Sequence, residues 1–370
     1  MILLFSVIRA AFGIDYPETA PTAKECEELL AFGKKQSILP VIYVGLKKTD
    51  ISADLLKAID RERNRDLRRF ILHNDALQKI EDALNKEQIS YIPLKGAVLR
   101  NLYPAPEMRT SSDIDVLVHE DDLDRAVRTI ESVTDFKADH RAYHDISMLN
   151  QSVHLELHFS IKENDENLDK VLSRVWEYTV PTESSRYEFT PEFQMFHVVA
   201  HMAYHFLHGG LGIRPFLDLW LLRTKTAYDE NKVQALCEQC GILTFYEECC
   251  KLIDVWLGDG KHTETTEMLE QFCLSGGVFG SKKFKNAARQ RERRGLKYIL
   301  GRVFPPASQV REYYSNASGE KHGLPYYFVK RWISWAKRGK EMKRQIGEIV
   351  STDQEYIDKT DELFRRLEMT

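Results

Sequence analysis

The 370-residue chain is short of several features that would settle its class at once. No apolar run is long enough to span a bilayer, so no membrane segment is expected. Six cysteines, Cys26, Cys237, Cys240, Cys249, Cys250 and Cys273, are too few and too scattered for a disulfide framework. Charge of one sign is also missing: the net value of −4 excludes a generic binder of polyanions. There is no internal repeat and no low-complexity tract. The apolar start, MILLFSVIRAAFGI, has no basic opening and is interrupted by Arg9, so it does not read as a signal peptide. These absences predict a cytoplasmic protein with reduced thiols and no membrane partner.

Some motifs are present only in part. Cys237-x-x-Cys240 lacks a second such pair at zinc-ribbon spacing, and its apolar helical setting predicts buried thiols. His197, His201 and His205 recur every fourth residue without the interleaved glutamate of H-E-x-x-H, which argues against zinc. His201 and His205 are expected to line a cleft, with packed, hydrogen-bonded histidines as the alternative. Gly209-Gly210-Leu211-Gly212 follows a helix, so it is expected to be a helix end and not a phosphate loop. Arg214 and Asp218 stand at i, i+4 and read as a structural pair, with base or ribose contacts as the alternative. From Lys282 to Arg344 the chain is rich in Lys and Arg, which predicts solvated helix faces or a basic wall toward phosphates or RNA.

What is there divides the chain into three. Composition is that of a globular protein, 43% hydrophobic and 29% charged, and the length suggests more than one domain. Residues 1–88 read as helical, with a long amphipathic helix over 53–86 whose buried side is expected to carry Leu67, Phe70, Ile71, Asn74, Leu77 and Ile80. Residues 89–190 change texture: a strand at Tyr91–Leu94, a short helix over 97–102, a strand at Ile114–Val118, a helix over 121–132, then strands near 144–149 and 153–161. Residues 191–370 return to helices, with a break at Phe304-Pro305-Pro306. The expected fold is α+β: a small mixed sheet with helical regions before and after it.

The chemistry starts from RTSSDIDVLV, residues 109–118. Side chains alternate along a strand, so Asp113 and Asp115 share a face while Ile114 and Val116 take the other. Two adjacent carboxylates repel unless one is protonated or a cation neutralises them. Hard oxygen ligands suit Mg²⁺, which fills its remaining positions with phosphate and water. In VHLELHF, residues 153–159, His154, Glu156 and His158 share one face. If that strand lies beside the first, Glu156 becomes the third acid and the two histidines border the site. Lys95-Gly96 closes a strand and opens a helix: Gly96 lets a phosphate approach the backbone, and Lys95 or Arg109 could hold it by charge. Metal ions among such acids would activate an attacking hydroxyl and neutralise a leaving pyrophosphate.

These residues carry a resemblance. LKGAVLRNLYPAPEMRTSSDIDVLVHEDDLDRA is similar to the core of the uncharacterised nucleotidyltransferase family within the polymerase-beta-like superfamily. The glycine of that pattern falls on Gly96, the acid pair on Asp113 and Asp115, and the third acid on Glu156. HMAYHFLHGGLGIRPFLDLW, FPPASQVREYY and LPYYFVKRW resemble its helical half, so the likeness covers most of the chain after Ser90. The superfamily has Gly-Ser or Gly-Gly where this chain has Gly96-Ala97, which removes a serine contact to phosphate. The resemblance implies Mg²⁺-dependent transfer (Mn²⁺ as the alternative ion) of a nucleoside monophosphate from a nucleoside triphosphate, with release of pyrophosphate. It does not name the acceptor, for which a small molecule or protein is preferred over RNA, or the oligomeric state. A degenerate module that binds nucleotide or partner without turnover, and RNA-directed nucleotide addition, are the alternatives.

Overall fold

A computed structural model describes residues 2–17, 19–49, 51, 53–182, 184–277, 284–287, 325–329, 333 and 354–369. The break at Phe304-Pro305-Pro306 and most of the basic stretch from Lys282 to Arg344 therefore lie outside the described residues.

Four helices open the chain: α1 (Ile2–Phe12), α2 (Ala23–Lys35), α3 (Leu39–Lys47) and α4 (Ala53–Lys86). Helix α2 starts on a reciprocal cap, in which the Thr22 hydroxyl accepts from the Glu25 backbone N–H and the Glu25 side chain accepts from that of Thr22. Helix α4 is the length expected, but its buried side is rotated. His73, Ala76, Leu77, Ile80, Ala83 and Leu84 are buried, whereas Ile71 is 56% exposed. A seam over this many turns drifts round the helix, and its N-terminal half faces different neighbours from its C-terminal half.

The sheet follows. Strand β1 (Tyr91–Pro93) leads through α5 (Gly96–Leu99) and short 3₁₀ turns to β2 (Ile114–Val118); α6 (Leu123–Val133) leads to β3 (Lys137–Arg141), β4 (Asp145–Leu149) and β5 (His154–His158). The spatial order is β1-β2-β5-β4-β3. Only β2 and β5 are parallel, so the sheet is mixed. Strand β3 escaped the sequence reading: KADHR has no apolar alternation, all five residues are exposed, and the strand is held at the edge by its ladder with β4. After α7 (Asp169–Leu172), a small hairpin of β6 (Thr179–Pro181) and β7 (Tyr187–Phe189) was also unforeseen.

The rest of the described chain is helical: α8 (Pro191–His208), α9 (Arg214–Lys225), α10 (Glu230–Gln239), α11 (Leu243–Leu257), α12 (Glu264–Ser275) and a C-terminal helix over Gln354–Arg366. Thr190 caps α8 and Pro191 takes its first turn, while the N–H of Gly209 and of Gly210 (φ +93°) close it onto the His205 carbonyl. Cys237, Cys240, Cys249 and Cys273 are buried in this bundle and Cys250 is half-buried. Among the described residues no helix is long and apolar enough to cross a membrane.

Two apolar clusters flank the sheet. One joins α4, α6 and the strand residues Tyr91, Ile114, Val116, Val118, Leu155 and Leu157. The other joins Ile92, Leu94 and Leu117 to the C-terminal bundle and, in the same cluster, to α1–α3. The N-terminal helices thus pack onto the C-terminal ones. Gln36, fully buried, donates to the carbonyls of Cys273 and Gly276 and accepts from the N–H of Ile213.

Candidate active site

The parallel ladder between β2 and β5 sets Asp115 directly opposite Glu156 and Leu117 opposite His158. Asp113 lies just before β2, on the face of Asp115 by the period of two. This face looks toward the bundle, while Ile114, Val116, Leu155 and Leu157 go into the α4–α6 core. The predicted triad is brought together. Ligand atoms of Asp113, His154 and Glu156 lie within 4.8 Å of one another, and so do those of Asp115, Glu156 and His158. Glu156 belongs to both groups. These are hard oxygen donors with flanking imidazoles, a set that fits one or two divalent cations.

Each acid is held differently. Ser111 Oγ donates to Asp113 Oδ1 at 3.1 Å and Ser112 Oγ to Oδ2 at 3.0 Å. Burial, then the neighbouring Asp115 and Glu156, push the Asp113 carboxyl above its ordinary value. Asp115, 4% exposed, accepts from His158 Nε2 at 3.0 Å and lies 3.6 Å from Lys95 Nζ. Burial alone would raise it, but Lys95 and His158 overcome burial and hold it well below the usual carboxylate range. Glu156 is lowered, first by its hydrogen bond from His158 and against burial and Asp115. His158 answers in the other sense: burial disfavours its charge, yet Asp115 and Glu156 raise it to about 9. His154 shares a 2.8 Å hydrogen bond between Nε2 and Ser147 Oγ, while its Nδ1 lies 4.0 Å from Glu156 Oε1.

Lys95 occupies φ +40°, ψ −104°, a region that L-residues rarely adopt. The Leu94 N–H donates to the Asp115 carbonyl, so the turn is pinned to β2 on one side and opens α5 on the other. Burial would lower the Lys95 ammonium, but Asp115, then Glu163, Asp113 and Glu156, raise it. A Cβ at Gly96 would meet Arg109 Nη1 and Ser111 Oγ, each at 2.9 Å, so any larger residue forces one of these side chains to move.

Arg109 is more committed than the sequence implied. Its Nε and Nη2 make a two-pronged bridge to Asp218, both at 2.8 Å, and Tyr103 donates to the same carboxylate. This leaves Nη1 beside Gly96. The expected Arg214–Asp218 pair does not form, because the fork geometry of Arg109 and the Tyr103 hydroxyl fill the carboxylate. Arg214 Nη1 instead donates to the Thr110 carbonyl at 3.2 Å.

The histidine stripe does reach the cleft. His201 Nδ1 pairs with Glu163 Oε1 at 2.9 Å, and His201 and His205 share a 3.0 Å bond between their Nε2 atoms. Burial, with Lys95 next, holds His201 far below its ordinary value; burial and His201 hold His205 at about 3. Both rings are therefore neutral near pH 7. With Nδ1–H of His201 donated to Glu163, its Nε2 must accept from His205.

The sequence reading missed Glu163, a loop residue that only the packing of α8 brings near. It also missed His73 on α4, buried, held at about 4 chiefly by burial, and bonded to the Asp113 backbone. His144, stacked on His158 with ring centroids 5.5 Å apart, sits just outside the β4 alternation. A serine turn before the acid pair was visible in TSSD and went unused.

A mixed sheet carrying an acid pair on one strand and a third acid in register on its parallel neighbour, with a lysine-glycine turn beside them, defines the class of nucleotidyltransferases. Residues 22–258 match the family described as uncharacterised nucleotidyltransferase. That span is well over half of the chain, and the chain belongs to this family. No curated protein and no solved structure matches it.

Proposed function

We propose that the protein transfers a nucleoside monophosphate from a nucleoside triphosphate to a hydroxyl group of a small molecule or protein, using Mg²⁺ held by Asp113, Asp115 and Glu156. The observation that carries this reading is the register of Asp115 against Glu156, with Asp113 on the same face. The three carboxylates, with Glu156 common to both donor groups, could hold one or two ions. Bound Mg²⁺ would neutralise the triphosphate and lower the pKa of the attacking hydroxyl.

The chain's own residues have the following roles. Gly96, at the start of α5, lets Arg109 Nη1 and Ser111 Oγ come close against the turn where a phosphate would be held. Lys95 supplies positive charge beside it, and Arg109 Nη1 supplies a donor. His158, as an imidazolium, fixes the Asp115 carboxylate and neutralises part of the cluster when no ion is bound. His154 borders the site, and His201 and His205 form its wall on the helical side. The acceptor oxygen attacks the α-phosphorus, the bond to the bridging oxygen breaks, and pyrophosphate leaves with that electron pair. The acceptor's proton passes to one of the three carboxylates.

The test is calorimetric binding of each nucleoside triphosphate with and without Mg²⁺, to the wild type and to the double variant Asp113→Ala/Asp115→Ala. Mg²⁺-dependent binding that disappears in the variant is expected. A wild type that binds no triphosphate under any of these conditions would sink the reading.

A further inference from the structure

We propose that Arg214, with His197, forms a phosphoryl-binding subsite on the helical side of the cleft, separate from the three carboxylates. The proposal rests on the nucleotidyl-transfer reading for the class of its ligand. Its geometric basis is separate.

The pocket lies between the Lys95 turn and helices α8 and α9, and is lined by Lys95, Arg109, His197, His201, Arg214 and Asp218 among others. Its charges do not cancel. Asp218 is paired with Arg109 and accepts from Tyr103. Lys95 is matched by Asp115. Arg214 has no such partner: among the described residues no carboxylate lies within ion-pair distance of it. Among the described residues its one hydrogen bond is to the Thr110 carbonyl, and its buried Nε has no partner. A second orphan belongs to the same pocket. His197 is 3% exposed and its Nδ1 is also buried and unpartnered. Unsatisfied polar atoms of this kind are rare in folded proteins and each calls for a ligand or a reason.

Three features identify the ligand as an anion of phosphate size. Arg214 is the first residue of α9, so the helix N-terminus adds partial positive charge to the guanidinium. The guanidinium fork matches phosphate oxygens and is weakly hydrated, which suits a half-buried site. The pocket measures about 60 Å³. That is room for a handful of waters or one phosphoryl group, and too little for a nucleoside. The occupant is either the end of the nucleotide's triphosphate or a phosphate on the acceptor.

Orthophosphate is the direct probe. Calorimetric titration should show binding to the wild type and at least about tenfold weaker binding to Arg214→Gln, the loss expected for a charge-assisted hydrogen bond. Equal binding to both proteins, or none to the wild type, overturns the proposal. A measurement that needs no variant guards against misfolding: phenylglyoxal modification of Arg214 in the wild type, located by mass spectrometry, should be slowed by orthophosphate. An unchanged rate overturns the proposal equally. Titrating Mg²⁺-bound triphosphate then separates the two sources. A parallel loss in Arg214→Gln assigns the subsite to the triphosphate, and an unchanged affinity assigns it to the acceptor. A wild type that binds orthophosphate at Arg214 but no triphosphate would leave the subsite standing while the function proposed above fell.

Discussion

Strands β2 and β5 present two surfaces that differ by one step of register. Ile114, Val116, Leu155 and Leu157 face α4 and α6 and are at most 1% exposed. Asp113, Asp115, Glu156 and His158 face the C-terminal bundle; Asp115 and His158 are buried and Asp113 and Glu156 are half-buried. The first surface is stabilised by apolar burial, at about 25 cal/mol per Å². The second is a set of like charges that burial penalises and that holds together only through Lys95, His158 and the serine turn. The same backbone thus carries a stabilising face and a face under electrostatic tension, and the tension sits where a divalent cation would relieve it.

If the comparison is right, stability should respond to pH through the buried titratable groups and not through the apolar face of the strands, and this is the largest effect expected. His197 and His205 are held at about 3, against an ordinary 6.5. The unfolded chain therefore takes up protons below pH 6.5 that the folded chain refuses. Stability is full above 6.5 and falls as pH drops toward 3, by up to about 1.4 kcal/mol per pH unit for each histidine. His158, raised to about 9, acts in the opposite window: its contribution is full below 6.5 and is lost as pH rises through 9. Thermal melting without metal, scanned from pH 4 to 10, should peak near neutrality and fall more steeply on the acid side. A profile that is flat between pH 4 and 7 would contradict the buried neutral histidines.

The next effect concerns the contact that joins the polar face to the bundle. Arg109→Met leaves Asp218 buried at 4% exposure with only Tyr103 as partner. Removing one member of a buried ion pair costs about 3–5 kcal/mol. Urea unfolding should report a loss of that size, and Arg109→Met/Asp218→Leu should recover part of it. Leu157→Ala, on the apolar face, should cost about 2–5 kcal/mol through the cavity it leaves. It should lower the whole pH profile without changing its shape. A changed shape would mean that the two faces are not independent.

Much of this contrast was legible before any coordinates. The alternation in SSDIDVLV and VHLELHF assigned every one of these side chains to its face, because a period of two is a local property of a strand. The parallel register of Asp115 with Glu156 could be supposed from the pattern, but it is fixed by the α4–α6 core, which no local signal encodes. Arg109, Arg214 and Asp218 show the limit. The i, i+4 spacing on α9 favoured one pair, whereas a bridge across more than a hundred residues prevailed because its geometry is two-pronged. Strand β3 was invisible for a related reason: an exposed edge strand has no buried face, so its sequence needs no apolar pattern.

The smallest effect on stability should come from the residue adjacent to the largest apolar loss on β5. Glu156→Gln is nearly isosteric, removes one charge from a crowded cluster and keeps an oxygen that can accept from His158. The lost charge-assisted bond and the relieved repulsion act in opposite directions, so the melting temperature should shift by no more than a few degrees, corresponding to about 1 kcal/mol or less. Activity should respond quite differently, because Glu156 belongs to both donor groups. Losing part of the transition-state charge stabilisation there is worth several kcal/mol, so transfer measured as pyrophosphate release should fall by about 100-fold or more. Leu157→Ala, assayed at a temperature where it is folded, should keep most of its turnover. If instead Glu156→Gln melts as early as Leu157→Ala while retaining activity, the acid is a structural partner of His158, and the division of labour between the two faces is wrong.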